Sequence, residues 1–266
     1  MFTLAHRKFS SSIGAYLVAF LCLLGVSFLQ VPQLNELNSS KKTASLETLK
    51  QEIHSEKLRL NILQQLPTFG FDNLMADWIY INFLQYFGDD EVRQKTGYSL
   101  SPEYFEVILA RDPRFLNAYL SLSTSTSLYA AMPERSVALM ELGLKSLSPK
   151  VPLKSYYVWR YKGIDELLFL GNSSKAKQSF ETAAQWASTY SDEESKQVAA
   201  ISRQTTEFLA HNPQSKSAQI AAWIMVVSNP VDEQTRKLAI QRIKALGAKV
   251  HITPQGGLQV QPPKEN

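Results

Sequence analysis

Few side chains in this sequence have the type and spacing that chemistry requires. Asp77 lies inside a segment, NLMADWIYINFLQYF, that is otherwise almost wholly apolar. A carboxylate buried there needs a partner, because desolvating a lone charge is costly. Arg160 and Lys162, in VWRYKGIDELLF, are the candidate partners. Paired with one of them, Asp77 is a packing device; with a shifted pKa it is a general acid–base group, although nothing nearby resembles a nucleophile. Asp165 and Glu166 suggest paired carboxylates. Consecutive positions on a helix point about 100° apart, so they do not converge on one substrate and are expected on a solvated face.

Other chemistries find little material. His6, His54, His211 and His251 are scattered, with no H-E-x-x-H or Cys/His cluster, so no metal site is expected. No phosphate-cradling glycine loop or G-x-S-x-G elbow occurs, and with 11 glycines a nucleotide-binding α/β core is not expected. No cofactor is expected either. The lone cysteine, Cys22, sits within an apolar run and has no intramolecular disulfide partner. The net charge is +4, from 28 Lys and Arg against 24 Asp and Glu; setting aside Arg7 and Lys8 leaves 26 against 24. That near-neutral body lacks the basic footprint of a nucleic-acid binder.

The elements that must position these residues begin with an anchor. No charge occurs between Lys8 and Glu36, and Ile13 to Val31 (IGAYLVAFLCLLGVSFLQV) is a 19-residue apolar run. At about 1.5 Å per residue it reaches roughly 28 Å, near the ~30 Å hydrocarbon core. A cleaved signal peptide has a shorter apolar centre and an A-x-A-like site, which is missing before Pro32; Cys22 lacks a lipoprotein context. Residues 1–12 are then a cytoplasmic stub by the positive-inside rule, 13–31 a transmembrane helix and 32–45 a tether. The body would lie in a periplasmic or lumenal space.

From 46 to 247 the pattern is helix after helix. Leu46, Leu49, Ile53, Leu60 and Leu63 form a stripe that Glu56 interrupts; Pro67 ends it. This helix packs on its own domain, with homo-oligomerisation as a second option. Asp72 is the expected cap of the next helix, Gly88 its end, and its apolar circumference predicts burial, with Trp78, Tyr80, Phe83, Tyr86 and Phe87 as core. Further starts fall at Ser101-Pro102-Glu103, Met132-Pro133-Glu134, Ser191-Asp192-Glu193-Glu194 and Asn229-Pro230. In the tail, 248–266, Val250 and Ile252 alternate around a turn with Leu258 and Val260 as a small β-hairpin. The fold class is all-α, with an anchor helix and this hairpin as additions.

Pro113, Pro149 and Ser191 are spaced 36 and 42 residues apart, a period typical of helical repeats. Leu167 to Ala183 (LLFLGNSSKAKQSFETA) resembles the turn and second helix of a tetratricopeptide repeat, through Leu170-Gly171 and the small-aromatic-small set Ala176, Phe180 and Ala183. A weaker copy precedes it, with Tyr119, Leu122 and Ser123 on one helix and Ser136, Met140 and Gly143 on the next. Ile108 and Ile164 depart from the pattern, standing where it has small residues. The resemblance covers 104–189 and implies an irregular tetratricopeptide-like solenoid. The whole chain also resembles membrane-anchored helical proteins of cyanobacteria, which implies a plasma or thylakoid membrane.

In such a solenoid the first helices line a concave, partner-binding face. Here that face would carry Asn117, Leu120, Thr124, Ser127, Val158, Tyr161, Asp165 and Leu168, unless flanking helices cover several of them. The expected function is a membrane-tethered protein–protein interaction module that helps assemble or stabilise a membrane complex, with membrane-associated protein partners and no catalytic residue. The alternative is an all-helical enzyme acting on a polymer or lipid-linked substrate, with Asp77 or Glu166 as its acid. A deep pocket with convergent, perturbed carboxylates would favour the second.

Overall fold

The computed structural model describes residues 14, 16–31, 45–211, 216–228, 233–252, 258–261 and 263. The chain divides into two units, Met1–Thr48 and Leu49–Asn266. In the first, α1 comprises the described residues 14 and 16–31, exposed throughout. Among the described residues no helix is long and apolar enough to cross a membrane. Ile13 and Ala15 of the expected 19-residue span, the stub 1–12 and residues 32–44 of the tether lie outside the described residues.

The remaining elements are α2 (Leu46–Gln65), α3 (Asp72–Phe87), α4 (Asp90–Thr96), α5 (Ser101–Arg111), α6 (Leu116–Leu122), a π-helix (Ser123–Tyr129), α7 (Pro133–Leu144), α8 (Tyr156–Leu168), α9 (Ser173–Ala187), α10 (Glu193–His211), α11 (Lys216–Ser228) and α12 (Glu233–Ala245). A hairpin of β1 (Lys249–Ile252) and β2 (Leu258–Gln261) follows, paired antiparallel with Val250 opposite Val260. The fold is all-α with this one small sheet among the described residues. The hairpin does not stand alone: Val250 and Val260 pack on the cluster of Trp223, Ile243 and Phe169, which supplies the burial that an isolated two-stranded hairpin lacks.

The main core gathers Leu60 and Leu63 of α2, Ala76, Ile79 and Phe83 of α3, Phe105 and Ile108 of α5, Tyr119 and Leu122 of α6, and Met140 of α7. Glu56, the break in the α2 stripe, is only half-buried and accepts a hydrogen bond from the Tyr104 hydroxyl at 2.6 Å and one from Arg59 at 2.7 Å. A polar residue on an inward stripe is tolerated because it finds partners there.

Two expected caps move. Asp72 is the first residue of α3 rather than its cap; it accepts from the Thr68 hydroxyl at 2.7 Å and from Arg111 at 3.1 Å. Asp192, not Ser191, caps α10 by accepting from the Ser195 amide at 3.0 Å.

In the α8–α9 pair, Ala176, Phe180 and Ala183 are buried. A β-carbon on Gly163 would lie 3.2 Å from the Phe180 ring. Gly163 is therefore the small residue facing the large one, which frees Ile164 from that role. Gly171 closes the turn with φ +65°, a left-handed conformation that glycine adopts without a steric penalty. In the preceding pair Ser136, Met140 and Gly143 of α7 are buried together with Tyr119 and Leu122 of α6.

Candidate functional site

Among the described residues two places carry unusual chemistry; both lie on segments the sequence singles out, but in arrangements that differ from the expected ones. The first is the middle of α8. Asp165 and Glu166 are both fully buried, at 0% exposure, so the expectation of a solvated face is wrong for both. The 100° step between consecutive helical residues sends them into different interfaces. Asp165 faces backwards, where Ser123 donates to Oδ1 at 2.8 Å while Ser127 and Ser136 donate to Oδ2 at 2.6 and 2.7 Å. Glu166 faces forwards, accepting from Lys162 Nζ at 2.5 Å and from the Ser179 hydroxyl of α9 at 2.6 Å. Lys162 is itself buried, lies 3.4 Å from Glu141 and sits over the Trp159 ring.

Burial pushes the Asp165 carboxyl up to about 6, against three serine hydroxyls that favour its ionised form; the Glu166 charge adds a smaller push upward. The π-helix makes the hydroxyl set available. Ser125 O accepts the Ala130 amide at 2.9 Å, five residues on, and the widened turn carries Ser123 and Ser127 to Asp165. Its neighbours Ser125 and Thr126 are buried with hydroxyls that have no hydrogen-bond partner among the described residues. The serine run was not recognised as a ligand set in the sequence. Its signal is Ser123 and Ser127, four apart on one helical face between apolar residues, a pattern that requires a buried polar partner.

Asp77, the other candidate acid, is exposed, so the expected buried ion pair does not exist. Lys162 is committed to Glu166, and Arg160 donates to the Ser202 hydroxyl at 3.0 Å. Two surface clefts, one lined by Glu233, Lys237, Leu238 and Gln241 and one by Glu181, Gln185, Arg203 and Glu207 among others, contain none of the three carboxylates considered above. Among the described residues no group of His, Cys, Asp or Glu could hold a metal ion.

Of the expected concave face, Asn117 and Leu120 are exposed and Thr124, Tyr161 and Leu168 are half-buried, whereas Ser127, Val158 and Asp165 are buried. The three buried residues are closed to a partner, because flanking helices already occupy that side. The eight positions do not make one continuous open surface.

The second place is the outer face of α2 and α3. The expectation that α3 is buried all round fails: Leu74, Trp78, Ile81 and Leu84 are exposed, and so are Leu58, Ile62 and Leu66 on α2. Residues 58, 62 and 66 form an i, i+4 stripe, as do 74 and 78, with 81 continuing at i+3. Arg59 joins the two helices, its guanidinium 5.4 Å from the Trp78 ring centroid and 3.4 Å from the Asn82 side-chain oxygen. The two apolar stripes therefore flank one seam. Seven exposed large apolar residues on two neighbouring helices are uncommon on a soluble monomer and point to an interaction site. No known protein family, curated protein or solved structure matches the chain.

Proposed function

We propose that the protein is a membrane-tethered protein–protein interaction module that docks an apolar helix of a membrane-associated partner along the α2–α3 seam. The observation that carries this reading is the exposed double stripe of Leu58, Ile62, Trp78 and Ile81 across Arg59. Two neighbouring helices with exposed apolar stripes offer a third helix the i, i+4 knobs it needs. Asp77, exposed beside that seam, favours a partner helix with a basic residue at its margin.

Further support comes from the rest of the chain. The run Ile13–Val31 has the length and apolarity of an anchor, and confinement at a membrane raises the effective concentration of membrane partners. The packing of Gly163 on Phe180 and the burial of Ala176 and Ala183 suit an irregular tetratricopeptide-like frame. The full hydrogen bonding of Asp165 and Glu166 suits a structural role, and with it the non-catalytic reading.

The test is site-specific photo-cross-linking in native membranes, with a photoreactive side chain at residue 81 or, as control, at exposed residue 181. A discrete adduct from 81 only, abolished by Trp78→Asp, is the expected result. Equal labelling from both positions would overturn the docking site. Protease protection of a C-terminal tag in sealed vesicles reads the tether separately, since a shortened, released chain would mean a cleaved leader.

A further inference from the structure

The loop joining α2 to α3 is built unlike the surface around it. Leu66-Pro67-Thr68-Phe69-Gly70-Phe71 ends a stretch, residues 60–71, that contains no charged side chain. Phe69 is 89% exposed and Phe71 66%, with Leu74 of the first α3 turn 65% exposed behind them. Phe69 holds φ at +52°, a region that non-glycine residues seldom occupy, so the chain accepts a less favourable backbone while its ring stays in solvent.

Several polar groups flanking this tip are meanwhile paired within the protein. Arg111 Nη2 lies 2.9, 2.9 and 2.6 Å from the carbonyl oxygens of Leu63, Gln64 and Leu66, the end of α2 that a helix leaves unpaired. Asp72 is engaged by Thr68 and Arg111. The Phe71 amide donates to Thr68 O at 2.9 Å and the Met75 amide to Phe71 O at 3.0 Å. Pairing the end of α2 and the first turn of α3 in this way lowers the cost of bringing the loop to a poorly hydrated phase, and apolar and aromatic side chains without charge are what such a phase accepts.

We infer that the α2–α3 loop is a membrane-surface foot, with Phe69, Phe71 and Leu74 entering the headgroup–acyl boundary of the bilayer that holds the anchor. The inference rests on the anchor reading of the Proposed function. Reach does not limit it: residues 32–44 allow a contour of roughly 45 Å, more than the ~30 Å length of α2, so the loop can meet the membrane whichever way that helix is directed. A lipid surface fits better than a protein here because Phe69 stands almost wholly and Phe71 mostly in solvent, on a loop without charge between residues 60 and 71. Exposed aromatic rings on a loop suit a yielding phase, whereas the two helices beside it offer a partner helix their exposed stripes.

The experiment uses the full chain with Cys22→Ser, carrying an environment-sensitive fluorophore on Phe69→Cys, or on Glu181→Cys as control, in phosphatidylcholine vesicles. Nitroxide-labelled lipid should quench the label at 69 at least about twofold more than that at 181, and aqueous iodide should do the reverse. With the label on Leu74→Cys, adding Phe69→Ser and Phe71→Ser should abolish the lipid quenching. A label at 69 as open to iodide as that at 181 overturns the foot. So does one shielded from iodide yet untouched by nitroxide lipid, which would mean that protein covers the tip. Resistance to carbonate extraction reads the anchor independently: a chain released by carbonate refutes the anchor, and the quenching at 69 in the same vesicles still decides the foot.

Discussion

Asp165 and Glu166 are neighbours in sequence yet belong to different interfaces, Asp165 bound by Ser123, Ser127 and Ser136 and Glu166 by Lys162 and Ser179. One turn of α8 therefore ties the helices before it to the helix after it. A solenoid-like stack gains from this arrangement because each polar interface accepts one register, whereas an apolar one tolerates sliding.

The Asp165 side makes stability depend on pH. Its folded pKa, about 6, lies above the ordinary 3.8. Between those values the folded chain holds a proton that the unfolded chain has released, so stability present at the acid end is lost as pH rises through about 6. The displacement corresponds to roughly 3 kcal/mol. Denaturant titrations of full-length protein from pH 4 to 7 should show this downward slope, and Asp165→Asn should flatten it. An unchanged slope in the variant would assign the dependence to another group.

The Glu166 side is a buried ion pair, for which removing one partner costs more than removing both. Lys162→Ala, leaving a fully buried carboxylate beside a single serine, should destabilise by about 3–5 kcal/mol. Lys162→Met with Glu166→Leu should be the milder change. Equal losses for single and double variants in unfolding experiments would show that the pair does not couple.

Arg111 closes the end of α2 with one guanidinium. Arg111→Met should cost about 2–3 kcal/mol by leaving those carbonyls to water or to nothing, and hydrogen exchange at the amides of residues 62–71 should accelerate. Arg111→Lys should recover less than half, since an ammonium lacks the planar fork. The same variant should weaken nitroxide-lipid quenching at residue 69.

Gly143 meets Tyr119 so closely that a β-carbon would sit 1.9 Å from the phenolic oxygen, whose hydroxyl donates to Pro113 O at 2.6 Å. Gly143→Ala should destabilise by about 1–3 kcal/mol. Tyr119→Phe in the same chain should rescue little, because ring carbons remain at 2.7 and 2.8 Å. Full rescue would place the strain on the hydroxyl alone.

Much of the fold was legible along the chain. Prolines 67, 102, 113 and 133 and the turn at Gly171 mark helix boundaries because their effects on φ and on the amide donor are local, whereas α7 ends at Leu144, short of Pro149. The alternation of Val250 and Ile252 with Leu258 and Val260 placed the tail hairpin for the same reason. The burial of Ala176, Phe180 and Ala183 follows from helical spacing and residue size.

Which apolar face is covered is another matter, and it was decided only in three dimensions. Periodicity shows that α3 is apolar on every side, yet it cannot count the neighbours available to cover it. With α5 and α6 on one flank, Leu74, Trp78 and Ile81 are left outside, and Asp77 with them. The fate of Asp165 and Glu166 was equally invisible, since burial of a carboxylate depends on hydroxyls and an ammonium brought from residues 4 to 42 positions away. Sequence by itself determines where this chain turns and which residue types share a helical face, because both are set by bonds and sterics within a few residues. Tertiary structure alone decides which of those faces meets protein and which is left open, because that depends on how many helices arrive.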